Sequence, residues 1–377
     1  MKSPFQFGRV VTDQAFTNRT KEIERLKSNI ENNIHTMLIS PRRWGKSSLV
    51  RKTALAVEGE NREIRFCFID LFRIRDEEEF YSSFANALVK ATSSKAEEWI
   101  SLSKALFKRI TPRISMGTDP VNDFEIKFDV DSIKKSYEEI LDLPERIAEK
   151  KEIQIVVCID EFQNLGSFEE PLLFQKRLRS AWQHHQHVTY ILYGSKRHMM
   201  MELFENRSMP FYKFGDVIYL RKISREHLVN YICGSFGRTG KRISEEIAGN
   251  IADSVKCHPY YCQQLAHLVW VATDGEANAR IFEEAVEALL EQNAILYHRE
   301  VEALSPMQLK LLEAVARGAE RLTTAQAINE YNLVSSSNVV RVKKSLEKKE
   351  IVDILQGKIE FIDPAFELWF KRFYISR

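Results

Sequence analysis

The chain has 377 residues, enough for two or three domains, and its 44% hydrophobic and 29% charged content is that of a globular protein with real cores. Its 55 Lys and Arg against 53 Asp and Glu leave a formal charge of +2, which excludes a general field drawing it to nucleic acid or an anionic membrane; a partner of that kind would need a local patch. The opening MKSPFQFGRVV has no long apolar run, and later runs such as IVVCI fall far short of the ~20 residues of a membrane span, so a cytoplasmic protein with no membrane partner is expected.

In chain order, HTMLIS (35–40) reads as a short apolar strand, followed by a turn and a helix in SSLVRKTALAV. EIRFCFID (63–70) is a second strand, and DEEEFYSSFANALVKA an amphipathic helix, with helical sequence continuing to about residue 108. RISMGTDPVNDFEIKFDV (113–130) alternates on either side of a Gly/Asp/Pro/Asn cluster and predicts a hairpin within an insertion at 92–131, a candidate partner-docking element. A polar-faced helix over 132–150 leads into EIQIVVCID (152–160), a continuous apolar run suited to a central parallel strand. Helix 169–185, strand VTYILYG (188–194), a helix at 196–206 and strand DVIYL (216–220) complete the pattern. Strands alternating with helices imply an α/β core with a parallel sheet covered on both faces, over residues 1–222.

Helical patterns at 224–236, 243–256, 259–273 and 278–299 predict a helical lid over 223–303. Helices at 306–317, 323–330 and 336–349, then two short strands about a Gly turn in IVDILQGKIEFID, describe a winged helix over 304–377. The third of these helices carries Asn338, Arg341, Lys344 and Lys348 at spacings that can share one face, a pattern able to grip DNA phosphates. Glu347 and Glu350 lie among the lysines, and a solvated amphipathic face explains the same letters.

The five cysteines, at 67, 158, 233, 257 and 262, show no repeated spacing and suggest buried thiols in a reducing compartment. Cys257, His258 and Cys262 are close in sequence but match no zinc pattern and lack an evident fourth ligand. Met199, Met200 and Met201 read as core or interface filling.

The strongest chemical signal is SPRRWGKSS (40–48). A phosphate-binding loop needs inward backbone N–H groups, a lysine for the β and γ phosphates, a hydroxyl for magnesium and a helix N-terminus behind it. Gly45, Lys46 and Ser47 supply that at a strand–helix junction, with Ser40 where the simple pattern has glycine. The second signal is IQIVVCIDE, an apolar strand ending in two carboxylates: Asp160 suited to holding magnesium and Glu161 to polarising an attacking water. Together they point to a phosphate-binding-loop ATPase that takes ATP or ADP with Mg.

FTNRTKEIERL (16–26), SPRRWGKSS, CIDEFQNL, YGSK, CHPYYCQQLA and the ending DPAFELWFKRFY together resemble the archaeal-type ATPase family within the AAA+/STAND group, over nearly the whole chain. The resemblance implies contacts to nucleotide from Ser40, Pro41, Arg42, Arg43, Trp44, Gly45, Lys46, Ser47 and Ser48, with Arg42, Arg43 and Trp44 shielding the phosphates or packing beneath the sheet. It implies that Phe16 and Arg19 lie against the adenine, with Asn18 where glycine is usual. Ser195 would be the polar sensor of the γ-phosphate, His258 and Pro259 a GxP-like lid motif, and Arg207 an arginine finger acting in trans if the protein assembles. Plainer readings stand beside these: Arg19 pairing with Glu22 on a helix, Ser195 capping the helix after it, and Arg207 as solvated surface. The function the resemblance implies is an ATP-hydrolysing regulatory switch, with nucleotide between core and lid and the winged helix moving as ATP becomes ADP. The alternatives are an ATP-controlled DNA-binding protein of origin-recognition or transposition-ATPase type and a nucleotide-bound scaffold with slow turnover.

Overall fold

The computed structural model describes residues 2–12, 15–93, 113–115, 125–355 and 357–375. Its contacts divide into two compact units, Arg19–Ser40 with Lys46–Leu220, and Met1–Asn18 with Pro41–Gly45 and Arg221–Arg377.

The first unit is an α/β layer structure. Strands β1 (Thr36–Ile39), β2 (Ile64–Asp70), β5 (Gln154–Asp160), β6 (Val188–Gly194) and β7 (Asp216–Tyr219) form one parallel sheet in the order β2-β5-β6-β1-β7. Every residue of β1 and β6 is buried, as continuous apolar runs flanked by helices require. Register brings the carboxyl ends to one edge: Asp70 lies opposite Asp160, Ile159 opposite Leu192, and Ile39 opposite Gly194. Trp182 is fully buried in this core, stacked on Tyr190 at 4.2 Å and flanked by Phe84 and Phe162.

One detail differs from the sequence reading. The helix expected over 132–150 is two, Val130–Leu141 and Leu143–Lys151, because Pro144 cannot donate to the preceding turn and is accommodated only at the start of a helix. A helix at Thr20–Glu31 precedes β1. The hairpin expectation corresponds to antiparallel strands β3 (Arg113–Ser115) and β4 (Glu125–Lys127), tied to helix Glu77–Thr92 by Asn86, whose amide bonds the backbone of Ile126 in both directions at 2.7 and 2.8 Å. The turn between them and the helical continuation expected to residue 108 lie outside the described residues.

The second unit contains helices Arg225–Arg238, Glu245–Ser254, Pro259–Ala272 and Ala279–Glu302. Helices Pro306–Ala316, Ala325–Glu330 and Ser336–Lys348 follow, then antiparallel strands β8 (Val352–Leu355) and β9 (Lys358–Phe361), helix Pro364–Trp369 and a π-helical turn to Ile375. Ser224, Ser244, Asn278, Ser305, Thr324, Ser335 and Asp363 each cap a helix by accepting from a first-turn N–H, which fixes where these helices start.

The packing groups segments differently from the division into 1–222, 223–303 and 304–377. Lid and winged helix share one hydrophobic core running from Ile223 to Phe370, bridged at residue 303 by the long helix: its Tyr297 lies 5.2 Å from Phe366 and 5.8 Å from Trp369. Phe5 belongs to the same core, against Tyr231 and Phe236, so the N-terminal segment packs with this unit. All five cysteines are free thiols. Among the described residues no helix is long and apolar enough to cross a membrane.

Candidate functional site

In the α/β unit the chemistry gathers at the carboxyl ends of β1, β5 and β6. Ser40 follows β1 and is buried; Lys46, also buried, opens helix Lys46–Glu60 and donates from Nζ to the Ser40 carbonyl at 3.1 Å. Serine therefore serves at this position, since what the lysine uses is a backbone oxygen. Ser47 Oγ donates to Asp160 Oδ2 at 2.7 Å, and the Glu161 N–H donates to Asp160 Oδ1 at 2.8 Å. Burial raises the Asp160 carboxyl above its usual range, against the two hydrogen bonds that favour its ionised form. A half-buried carboxylate against a hydroxyl is a hard-oxygen pair that fits magnesium.

Glu161 is held by its neighbours. Its backbone is left-handed, at φ 52, and its Oε2 accepts from the Ser195 hydroxyl at 2.8 Å and from the Gln163 amide in a short bond. Ser195 does not cap the following helix, Arg197–Glu205, whose N-terminus has no side-chain cap. Gln163 is a site residue that motif reading missed. It is fully buried beside Gly194, where an added Cβ would lie 1.8 Å from its Oε1, so the glycine before Ser195 makes room for the amide that holds Glu161. The signal was the pair Gln163 and Gly194, which no periodicity links.

Arg19 pairs with Glu22 at 3.0 Å, though the arginine is buried and not on the surface. Asn18 and Arg19 have φ 63 and 73. Asparagine tolerates the left-handed region far better than most residues, a physical reason for Asn18 where glycine is usual. Phe16, half-buried, falls in the segment grouped with the other unit. Arg207 is exposed after Asn206 and forms no ion pair among the described residues. Ser48 is half-buried in the first turn of helix Lys46–Glu60.

Pro41–Gly45 packs with the second unit. Gly45 has φ 89 with open space around its missing Cβ, so backbone conformation, not crowding, requires glycine there. Pro41 is buried. Arg42 pairs with Glu350 at 3.2 Å, and its backbone is bonded by the His258 ring. Arg43 donates to the Tyr261 hydroxyl at 3.2 Å and lies 4.7 Å from the Tyr260 ring centroid. Trp44 meets His258 edge-on at 6.1 Å. His258 precedes Pro259, the first residue of helix Pro259–Ala272; burial first, and Arg43 next, lower its pKa to about 3, keeping the ring neutral. Among the described residues, the group of side chains close enough to share a metal ion is Glu145, Glu149 and His187, not Cys257, His258 and Cys262.

Residues 16–265 match the model of an ATPase domain found predominantly in Archaea. The chain belongs to this ATPase family. Residues 294–372 match a probable winged helix domain, in agreement with the three helices and wing. The ATPase fold is shared with the Walker-type ATPase of Pyrococcus abyssi, at 18% identity and TM-score 0.68 over 97% of this chain and 99% of that one. The ADP form of the ORC2 protein of Aeropyrum pernix is similar at 16% identity and TM-score 0.53, over 97% and 96%. No curated protein matches the chain.

Proposed function

We propose that this ATPase is a STAND/AAA+-like regulatory switch that hydrolyses ATP with magnesium and couples nucleotide state to the lid and winged helix. The observation that carries the reading is the convergence of Ser47, Asp160, Glu161 and Ser195, hydrogen-bonded in sequence at neighbouring strand ends, with Lys46 beside them on the Ser40 carbonyl. Ser47 and Asp160 would hold the magnesium ion, which when bound offsets charge on the phosphate oxygens. Lys46 brings an ammonium to the β and γ phosphates. Glu161 orients and polarises a water for attack on the γ-phosphorus, and Ser195 and Gln163 fix that carboxylate in advance. Arg42, Arg43 and Trp44 screen the phosphates, Phe16 and Arg19 face the adenine, and His258 and Pro259 report its presence to the lid. Arg207 adds charge only from a second protomer. Lys46→Ala should abolish nucleotide binding in calorimetric titration; unchanged affinity would sink the reading.

A second reading, ATP-controlled DNA binding, is favoured by the helix Ser336–Lys348, which buries Val339, Val342 and Leu346 and leaves Arg341, Lys344 and Lys348 exposed. Salt-dependent DNA binding that changes between ADP and ATP would support it. Charge reversal at Arg341 and Lys344 with no loss of binding would remove it.

A further inference from the structure

The amino edge of the sheet, roughly a strand length or about 20 Å from Ser195, carries a group of side chains that the ATP reading does not use. His187 stands immediately before β6, and Glu145 and Glu149 lie four residues apart on helix Leu143–Lys151. One metal-ligating atom from each of the three falls within 4.8 Å of the others.

Glu145 is already fixed in place. Its Oε1 accepts from the Gln186 N–H at 2.9 Å and lies 2.7 Å from the His187 Nδ1, and its Oε2 accepts from the His187 N–H at 3.0 Å. The neighbouring His185 is committed elsewhere, with its buried ring bonded through Nδ1 to the Tyr190 hydroxyl at 2.8 Å. An ion pair with His187 needs only one carboxylate. Glu149 is a second, set on the same helix face at the i,i+4 spacing where like charges repel. Lys151 of that helix does not relieve the repulsion, since its Nζ donates to the Ser93 hydroxyl at 2.8 Å. A dication at this point would offset both carboxylates at once.

The donor set selects the ion. Calcium and magnesium take oxygen, whereas one imidazole with two carboxylates suits zinc and its transition-metal neighbours. Donors around a tetrahedral zinc, each about 2.1 Å from it, stand about 3.4 Å apart. Glu149 and His187 are exposed, so their side chains can turn to reach that spacing while the backbone N–H groups hold Glu145. Glu149 and His187 also line an open hollow of about 470 Å³, with Asn33 and Gln154, which admits the ion and the water that would complete its shell.

We propose that Glu145, Glu149 and His187 form a binding site for a divalent transition-metal ion of zinc's class, which ties helix Leu143–Lys151 to the start of β6 at the sheet edge opposite Lys46 and Asp160. The site is independent of the ATP reading.

The test titrates the full chain, free of nucleotide, with zinc in an excess of magnesium, by calorimetry and by thermal melting. One equivalent should bind and raise the melting temperature of the α/β unit, as any ligand of the folded state does. Glu149→Gln and His187→Gln, both changes at exposed side chains, should each weaken zinc binding by about tenfold or more and abolish the rise. Without zinc, Glu149→Gln should melt no lower than the unaltered chain, because it removes a repulsion; a residue that merely supports the fold would lower it. Asp160→Asn should leave the zinc equivalent in place. Absence of zinc binding, unchanged affinity in both folded variants, or loss of the equivalent with Asp160→Asn would each overturn the proposal.

Discussion

The two units divide the run SPRRWGKSS between them, Ser40 and Lys46–Ser48 to one and Pro41–Gly45 to the other, and treat their shares differently. In the α/β unit, polar groups follow directly on apolar strands and bond among themselves, so that Lys46, Ser47, Asp160, Glu161 and Ser195 are fixed by sheet register. In the helical unit the loop is met by side chains 218 positions from Arg43 and a further 102 beyond those, joined by no shared element. The polar cluster at the strand ends comes from a repeating architecture; the bonds of the loop come from single long-range contacts. A sheet edge can place several residues at once because every strand ends at the same height, whereas each long-range contact must be made singly.

The largest expected effect lies wholly on the sheet side. Glu161→Gln should bind ATP and lose turnover about 10²–10⁴-fold, as for removal of a general base, measured by steady-state phosphate release. Unchanged turnover would take Glu161 out of its role and leave the strand-end cluster without a catalyst. Next, Trp182→Ala and Trp369→Ala each remove a buried indole, one from each unit, and should each cost about 3–5 kcal/mol. Calorimetry of the pair sharpens the comparison: if the units melt separately, each variant lowers its own transition only, and a common shift would make them one cooperative block.

Gly194→Ala drives a Cβ to within 1.8 Å of Gln163 Oε1 and 2.7 Å of Met200 Sδ, and should destabilise the α/β unit by about 1–3 kcal/mol while slowing phosphate release, because Gln163 must leave Glu161. Loss of stability with full turnover would show that Gln163 only packs.

The smallest effect is in pH. Burial lowers His258 to about 3 in the helical unit and His35 to about 4 in the α/β unit, from 6.5. Both are bases with depressed folded pKa, so the unfolded chain takes up their protons first. Stability is therefore lost as pH falls below about 6.5, down to about 3 for His258 and about 4 for His35, at no more than about 1.4 kcal/mol per pH unit for each. His258→Asn should flatten this dependence in denaturant melts at pH 7, 6 and 5 for the helical unit alone, and a flattening in both units would tie their titrations together.

Much of this was legible in the sequence. The apolar runs ending in Ser40, Asp160 and Ser195 predict parallel strands with polar ends, and the helix expected from residue 306 begins directly after its cap, Ser305. The break at Pro144 follows from proline's missing donor and was readable in principle. Gln163, Tyr261 and the bonding of Asp363 were not legible as site residues, because a buried amide, a core tyrosine and a helix cap have the same sequence signature whatever lies across from them.

The sequence by itself determined the element types, the α/β and winged-helix architecture, and the choice of Lys46, Ser47, Asp160 and Glu161 as the groups at the ends of two strands. Those depend on periodicity and on residues close along the chain. Only the tertiary structure decided that lid and winged helix share one core, that Ser195 serves Glu161 and not a helix end, and that Arg43 is held through Tyr261 by Asp363. Each of those depends on which distant side chains meet, and contact energy, unlike hydrophobic period, leaves no regular trace in the order of the letters.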